Sequence, residues 1–431
     1  MKIVNIVPGF GGSFYCGNCL RDSVFVKTLK VIGHEAIMLP VYLPLTLNTN
    51  QETNDIPVFY GAVNIYLKQQ FKFMRNMPKW MHHFFDSAPI LRYAAKKSGS
   101  TRADGLEEMT ISMLKGAEGL QAEELDQLIN YLKHHEKPDI VHLSNSLLLG
   151  MAAKIKEELN IPVVCSLQDE DVWIDAMTPD YRVKLWNLMA EKVRDVNAFI
   201  AVSHYFADVM KNKMHIPDNK IFVVPIGVDP EQYDVFSPSL NPLVIGYISR
   251  LCEENGLEVL IDAFIELKDN SVHKNAKLRL TGGKTGDDKA FINKQIKKLK
   301  KKGYFEDVEW QDDFSLNSRS SFFQGLTVVS VPVLKGEAFG LYQLESMASG
   351  IPVLQPALGA FPEIAESTCG GAIYEPNTPI VLASALVNLF SDPVKLQKMS
   401  EAGRKAVMAT YNARILAGKM VEVYEKIQLN R

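Results

Sequence analysis

The sequence predicts an α/β fold of two Rossmann-like domains, each with a parallel β-sheet, facing each other across a cleft. Strand patterns alternate with helical patterns along most of the chain, which is typical of parallel sheets covered by helices on both faces. A length of 431 residues allows two or three domains. Residues 233–242, rich in Ser, Pro and Asn, separate the two alternating regions and are predicted to be the linker.

The composition is that of a globular protein with a large core, with 47% hydrophobic and 23% charged residues. A net charge of −3 argues against general nucleic-acid binding. The first strand pattern ends at Pro8, too early for a signal peptide, and no apolar run is long enough to span a bilayer. Five cysteines without a disulfide framework fit a reducing compartment, so we expect a cytoplasmic protein.

The N-terminal region opens with a strand, a glycine loop, a helix and a second strand. Lys2 to Val7 form the first strand pattern, and Ala36 to Val41 form the next. The third glycine of a dinucleotide fingerprint would fall at Phe14, so that cofactor is not predicted. Gly11 and Gly12 in the loop are candidate ligand contacts, with a simple turn as the alternative.

Two cysteines, Cys16 and Cys19, stand at the start of the first helix. A helix N-terminus lowers the pKa of a thiol, so a redox pair is one interpretation. A zinc site would need a second pair at suitable spacing, and the sequence has none. We favour packing at the helix start.

A basic and aromatic insert is predicted near residues 68–100. Between Lys68 and Lys97, seven basic residues face one acid, with Phe, Met and Trp among them. Such a segment suits an anionic membrane surface or an acidic or lipid-linked ligand. The favoured alternative is helical packing over the first sheet, with the lysines in solvent.

Further strand–helix units follow, and one strand pattern ends in a run of polar residues. Gln168 and Asp169 come directly after the strand that ends at Leu167, and two more acids follow. We expect these side chains to line the cleft, with a metal site as the alternative.

The stretch 335–354 carries the strongest functional signal. A buried strand is predicted at Val328 to Leu334, and Leu341, Leu344 and Ala348 then recur at helical spacing. A glycine at the first helical turn, Gly340, leaves the backbone N–H groups open to a phosphate. Two carboxylates, Glu337 and Glu345, frame this anion site and suit ribose or sugar hydroxyls. An ordinary βα connection is the alternative.

The Glu337-to-Glu345 pattern, with Phe339 and Gly340 inside it and Ala-Ser-Gly-Ile-Pro-Val at 348–353, resembles the donor-site signature of the family-4 glycosyltransferases of the GT-B fold. Weaker resemblance extends over the opening loop and residues 138–167, 221–229, 249–256 and 359–363. It implies an N-terminal acceptor domain at 1–235, a C-terminal donor domain at 243–410, and a helix at 411–431 that crosses back to the N-terminal domain.

The resemblance implies a retaining, metal-independent glycosyltransferase that needs no cofactor. A nucleotide-diphosphate-sugar donor would transfer its sugar to a small-molecule, glycan or lipid-linked acceptor. Arg250 and the backbone amides of Gly340 and Leu341 would stabilise the diphosphate. Glu345 would bind the ribose, and Glu337 would orient the sugar. The predicted donor residues are Arg250, Asn255, Lys284, Phe339, Gly340, Leu341 and Glu345; those on the acceptor side are Gly11, Gly12, Gln168 and Asp169; Glu337 and Arg250 are catalytic.

Two positions depart from the family pattern. Asn255 stands where the family has a lysine for the diphosphate, and Gln168 stands where it has a histidine for the donor sugar. Lys284 and Lys335 are candidate replacements for the missing charge. The departures also motivate a nucleotide-sugar-binding protein without transferase activity. A second alternative is a nucleotide-sugar epimerase of the same fold, with Asp169, Glu170 and His204 as candidate acid–base groups.

Overall fold

A computed structural model of the chain describes residues 1–9, 14–42, 105–270 and 272–429. The predicted insert near 68–100 and the glycines Gly11 and Gly12 lie outside the described residues. The chain divides into two compact units. The N-terminal unit comprises Met1–Gly12, Asn18–Val224 and Ala417–Arg431, and the C-terminal unit comprises Ser13–Gly17 and Pro225–Leu416.

The N-terminal unit contains a parallel sheet in the order β2-β1-β3-β4-β5-β6. The strand order reverses between β1 and β3, so the unit has a topological switch point at the carboxyl ends of these strands. Buried Val, Ile and Leu side chains fill the strands, as expected for a sheet covered on both faces. The strands are β1 Lys2–Val7, β2 Glu35–Pro40, β3 Ile140–Leu143, β4 Val163–Leu167, β5 Ala198–Ala201 and β6 Ile221–Val223.

Helices connect these strands. The last of them, α7, begins where the Ser203 side chain accepts a hydrogen bond from the amide of Phe206 at 3.0 Å, which is a typical N-cap. The helices are α1 Gly17–Val31, α2 Glu107–Lys115, α3 Ala122–Tyr131, α4 Ala152–Leu159, α5 Glu170–Asp175, α6 Pro179–Lys192 and α7 His204–Met214.

The C-terminal unit contains a second parallel sheet, in the order β12-β11-β10-β7-β8-β9. Its switch point lies between β7 and β10, as in the dinucleotide-binding Rossmann order. The two parallel α/β sheets confirm the predicted fold class. The strands are β7 Val244–Ile248, β8 Lys277–Thr281, β9 Val308–Gln311, β10 Val328–Val329, β11 Val353–Pro356 and β12 Gly371–Tyr374.

Strand β10 is shorter than the sequence predicts. The prediction of a strand from Val328 to Leu334 is wrong beyond Val329. The amide of Val331 donates to the side-chain oxygen of Gln355 at 3.0 Å, and Pro332 has no amide to donate. Pairing therefore stops early, and the chain is released into the loop that precedes the next helix.

The helices of the C-terminal unit end in a long helix, α15. From Ala417 this helix belongs to the N-terminal unit. They are α8 Leu257–Asn270, α9 Lys289–Lys302, α10 Leu316–Phe322, α11 Leu341–Ala348, α12 Phe361–Thr368, α13 Pro379–Phe390, α14 Pro393–Ala409 and α15 Ala413–Leu429. Within the described residues, no single helix has the length and apolarity needed to cross a membrane; α13 and α14 meet these criteria only as a pair bent by 95°.

A buried hydrogen-bond network ties the end of α15 to the first sheet. One ring nitrogen of His142 on β3 meets the hydroxyl of Tyr424, and the other lies 2.7 Å from the hydroxyl of Ser166 on β4. Burial, assisted by the charge of Arg21, lowers the pKa of His142 to about 3. The imidazole is therefore neutral at physiological pH and holds the helix by hydrogen bonds alone.

This network predicts acid sensitivity. Between pH 6.5 and 3 the unfolded chain binds a proton at His142 that the folded chain does not, so acid favours unfolding. The wild type is expected to lose up to about 1.4 kcal/mol per pH unit in this window relative to His142→Gln. Urea unfolding of both proteins at several pH values measures the difference. Stability curves that stay parallel down to pH 4 would contradict the assignment.

Candidate active site

The loops that follow β7 and β10 meet at the switch point of the C-terminal unit. The amide of Leu334 donates to the carbonyl oxygen of Glu254 at 3.0 Å. Gly256 has a φ of +73°, and a Cβ at this position would lie 1.7 Å from the carbonyl oxygen of Pro332. Only glycine allows the two loops this approach. Open α/β sheets bind their ligands at such a crevice.

The second of these loops leads into α11 through Gly340. This glycine has a left-handed conformation, with φ +80° and ψ 73°, and the amide of Gln343 donates to its carbonyl oxygen at 3.0 Å. The Gln343 side chain also donates to the carbonyl oxygen of Phe339 at 2.8 Å. The turn is thereby fixed, and it places the amide of Leu341 at the start of α11, where an amide has no acceptor within the helix. Phe339 and Leu341 are buried on either side.

Glu337 is held at its backbone by a neighbouring loop. The amide of Ala360 donates to its carbonyl oxygen at 3.0 Å. Gly359 has a φ of +59°, and a Cβ there would lie 2.4 Å from both the nitrogen and the oxygen of Glu337. The loop at 359–363, which carries part of the family resemblance, therefore sets the position of this partly exposed carboxylate.

Arg250 forms a two-point ion pair with Asp288. Its Nε lies 2.9 Å from Oδ2, its Nη2 lies 2.8 Å from Oδ1, and Nη2 also donates to the hydroxyl of Thr285 at 3.0 Å. Burial alone would raise the pKa of Asp288, but hydrogen bonds from Arg250 and Thr285 outweigh it and lower that pKa. No sequence motif marks Asp288, which lies 38 residues from its partner.

The other residues considered for the diphosphate, Asn255, Lys284 and Lys335, lie on the loops that follow β7, β8 and β10. The Asn255 side chain donates to the hydroxyl of Ser249 at 2.7 Å, which supports its own loop. Lys284 follows β8, and its loop is joined to the Arg250 loop by a 2.9 Å bond from the amide of Leu251 to the carbonyl oxygen of Gly283. The Lys284 side chain is 47% exposed and lies 3.9 Å from Asp312. Lys335 is exposed.

Glu345 is enclosed rather than open to a ligand. Its side chain is 1% exposed. The hydroxyl of Tyr15 donates to Oε2 and that of Tyr233 donates to Oε1, each at 2.6 Å. The Nε of Arg319 lies 3.3 Å from Oε1, an ion pair without hydrogen-bond geometry. The carboxylate that we expect to bind the ribose is therefore not exposed in this structure, because protein groups surround it.

Sequence reasoning missed the three partners of Glu345. Tyr233 falls in the predicted linker, yet it is 8% exposed. Tyr15 follows the first glycine loop, and Arg319 lies on α10 without a motif. Burial, followed by the charge of Glu345, raises the pKa of Tyr15 well above its ordinary value, so its hydroxyl keeps its proton.

In the N-terminal unit, the polar residues after β4 turn inward. Gln168 is 5% exposed and donates to the carbonyl oxygen of Ser144, while its own Oε1 is buried without a hydrogen-bond partner. Asp169 has a φ of +60° and accepts a bond from Asn18 at 3.2 Å. Glu170 accepts hydrogen bonds from the amides of Ser146 and Gln168 at 2.8 and 2.6 Å, and burial raises its pKa to about 7.

Neither the metal alternative nor the packing of the cysteine pair gains support. In the part of the chain that the structure describes, no group of three or more His, Cys, Asp or Glu residues is arranged to hold a metal ion. Cys16 and Cys19 are joined in a disulfide, which the interpretation as packing at the helix start does not include. His204, a candidate acid–base group, is exposed at the start of α7.

Two family models match adjoining parts of the chain. The model described as Glycosyltransferase Family 4 matches residues 115–232. The model described as Glycosyl transferases group 1 matches residues 230–406, which include the loops after β7 and β10.

Two proteins with similar sequences are also named glycosyltransferases. The uncharacterized glycosyltransferase MJ1607 of Methanocaldococcus jannaschii is 22% identical over 70% of this chain and 79% of its own length. The D-inositol 3-phosphate glycosyltransferase of Corynebacterium diphtheriae is 28% identical over 43% of each chain.

Solved structures share the fold. Sucrose-phosphate synthase from Thermosynechococcus elongatus has a TM-score of 0.69 at 15% identity, with both chains fully covered. Anabaena Alr3699/HepE in complex with UDP has a TM-score of 0.68 at 15% identity and covers 99% of this chain and 100% of its own. The two glycosyltransferase models, one of them Family 4, together match residues 115–406, so the chain is a glycosyltransferase of the family-4 type, with the GT-B fold that the solved structures share.

Proposed function

We propose that the protein transfers a sugar from a nucleotide-diphosphate-sugar donor to an acceptor, with retention of anomeric configuration and without a metal ion. The observation that carries this proposal is the grouping of Arg250, Glu337 and the Gly340 turn on loops at the switch point of the C-terminal unit. Anabaena Alr3699/HepE, which shares the fold, was solved in complex with UDP and with UDP-glucose. This supports a nucleotide sugar as the donor.

The site residues suit the departure of a diphosphate. As the bond to the sugar breaks, negative charge develops on the leaving phosphate, and Arg250 with the amides of Gly340 and Leu341 stabilises it there. Glu337 accepts hydrogen bonds from the sugar hydroxyls and orients the ring. A front-face substitution needs no carboxylate nucleophile, so this set of groups suffices for retention.

Lys284 is the better candidate for the second positive charge at the diphosphate. Its loop is bonded to the Arg250 loop, its side chain is half exposed, and its only close acid in the described residues, Asp312, is 97% exposed and 3.9 Å away. A salt bridge so exposed contributes little. The ammonium group is therefore able to turn to a bound anion at small cost, whereas the Asn255 side chain brings no charge.

The acceptor is a small molecule, a glycan or a lipid-linked saccharide. A peripheral membrane contact through the basic insert fits a lipid-linked acceptor. An epimerase is less favoured, because Glu170 is 2% exposed and bonded to backbone amides. A group so enclosed is poorly placed for proton transfer to a ligand.

Glu337→Gln is expected to lower turnover by about 100-fold while donor affinity changes little, because its partner is the reacting sugar ring. Steady-state kinetics with varied donor separate kcat from KM. Glu366→Gln, on an exposed part of α12, is the matched control and should behave as wild type. Normal turnover with a raised KM in Glu337→Gln would mean instead that Glu337 binds the substrate and the transition state equally well.

A thermal-shift screen tests the proposed function. UDP, GDP and ADP and their sugars are compared, and one nucleotide is expected to stabilise the wild type by about 2.7 kcal/mol at 100 times its Kd. The preferred nucleotide sugar is then incubated with acceptors, and transfer is expected. A nucleotide sugar that binds without transfer over a broad acceptor panel would contradict the transferase. Epimerisation without an acceptor would do the same.

A further inference from the structure

Residues 14–17 pack on the loops that form the proposed donor site. They are N-terminal in sequence, yet they belong to the C-terminal unit. The amide of Tyr15 donates to the carbonyl oxygen of Gly282 at 2.7 Å, and Phe14 forms an antiparallel bridge with Gly283. A Cβ on Gly17 would lie 3.6 Å from the Cβ of Leu341, at the start of α11.

The side chain of Tyr15 engages the carboxylate predicted to bind the ribose. Its hydroxyl donates to Oε2 of Glu345 at 2.6 Å, and Tyr15 is 7% exposed. The guanidinium of Arg319 lies 5.6 Å from the centre of the Tyr15 ring. A ribose hydroxyl that bonds this carboxylate would make the same type of hydrogen bond that Tyr15 makes.

The side chain of Phe14 engages the cation predicted to bind the diphosphate. The guanidinium carbon of Arg250 lies 5.6 Å from the centre of the Phe14 ring, a cation–π distance. The same guanidinium is held in its plane by Asp288. The aromatic ring therefore covers one face of the guanidinium, and Asp288 occupies two of its in-plane N–H groups.

We propose that residues 14–17 are a built-in cover of the donor site and that the donor displaces them on binding. Tyr15 occupies the place of the ribose, and Phe14 lies over the Arg250 guanidinium that would bind the diphosphate. This inference rests on the proposed function, because it takes Glu345 and Arg250 as donor-binding residues. Glu345 is the contact that decides it, because its carboxylate is only 1% exposed, so a ribose reaches it only where a protein group such as the Tyr15 hydroxyl gives way.

A cover of this kind lowers the apparent affinity by the fraction of molecules in which it is open. Removing the Tyr15 hydroxyl takes away one hydrogen bond to a charged acceptor, so the covered state is weakened while the ring remains. The apparent affinity for the nucleotide should therefore rise by about tenfold. A residue that merely positions Glu345 would have the opposite effect, because its loss weakens donor binding.

Calorimetric titration of the full chain with UDP, or with whichever diphosphate the thermal screen selects, tests the proposal. Tyr15→Phe is expected to bind about tenfold more tightly than wild type. Tyr233→Phe is the matched control, because it removes a bond of the same length to the same carboxylate from outside residues 14–17. It should bind no more tightly than wild type. An equal gain in nucleotide affinity in both variants, or no gain in Tyr15→Phe, would overturn the proposal that residues 14–17 cover the site.

Hydrogen exchange of the wild type gives an independent readout that needs no variant. Saturating nucleotide is expected to speed exchange at residues 14–17, since the amide of Tyr15 loses its bond to Gly282. Slower exchange there would show that the segment closes on the ligand, and would overturn the proposal. If the wild type binds none of the three diphosphates, the donor site itself fails, and this outcome is distinct from binding without displacement.

Discussion

Glu345→Ala is expected to lower the free energy of unfolding of the C-terminal unit by about 3–5 kcal/mol. The substitution leaves the charge of Arg319, whose side chain is 5% exposed, buried without its carboxylate. It also removes the acceptor of the Tyr15 and Tyr233 hydroxyls, both of which are buried. Calorimetric or urea unfolding measures the loss. The ribose-binding role that the family resemblance implies for Glu345 does not predict this loss.

A double variant separates the buried charge from the loss of packing. Glu345→Leu with Arg319→Met replaces both ions by apolar groups of similar size, which is often close to neutral in stability. It should therefore be much more stable than either Glu345→Leu or Arg319→Met alone. Additive losses in the double variant would show that Glu345 and Arg319 are not coupled, and would contradict the contact at 3.3 Å.

Arg250→Ala is expected to weaken binding of the nucleoside diphosphate by at least about 100-fold, on the order of 3 kcal/mol. The diphosphate loses a cation, and Asp288, left without its partner, adds a negative charge beside the anion. Arg250→Ala with Asp288→Asn removes that repulsion and should recover part of the affinity. Calorimetry on both variants measures the two effects. Unchanged affinity in Arg250→Ala would place the diphosphate elsewhere.

Asn255, which stands where the family pattern has a lysine, allows a second test of diphosphate binding. A full charge about 4 Å from a phosphate is worth on the order of 4 kcal/mol at an effective dielectric of 20. Asn255→Lys is therefore expected to tighten diphosphate binding. If Lys284 supplies the charge in the wild type, Lys284→Ala should weaken binding nearly as much as Arg250→Ala. Lys335→Ala serves as the control and should have a small effect.

The features that the sequence predicts correctly are those with local signals. Helix α11 follows from the spacing of Leu341, Leu344 and Ala348, and the glycine predicted at its first turn is Gly340, which has a positive φ. The alternation of strand and helix patterns is also a local signal, and it predicts two parallel sheets. Each of these signals lies within about ten residues, where the period of side chains decides the structure.

The features that the sequence does not predict depend on contacts between distant residues. Tyr15 and Tyr233 lie 330 and 112 residues from Glu345, and no local pattern marks either as its partner. The early end of β10 depends in a similar way on the side chain of Gln355, 24 residues from the amide that it captures. A motif identifies Glu345 by its type and spacing, but only the packing around it shows that its carboxylate is enclosed.

A crystal structure of the protein with the preferred nucleoside diphosphate tests the proposed donor site. We expect the diphosphate at the carboxyl ends of β7 and β10, within hydrogen-bond distance of the amide of Leu341 and of the Arg250 guanidinium. It also predicts that Tyr15 has left Glu345. A diphosphate bound instead at the switch point of the N-terminal unit, between β1 and β3, would contradict the donor site proposed for the C-terminal unit.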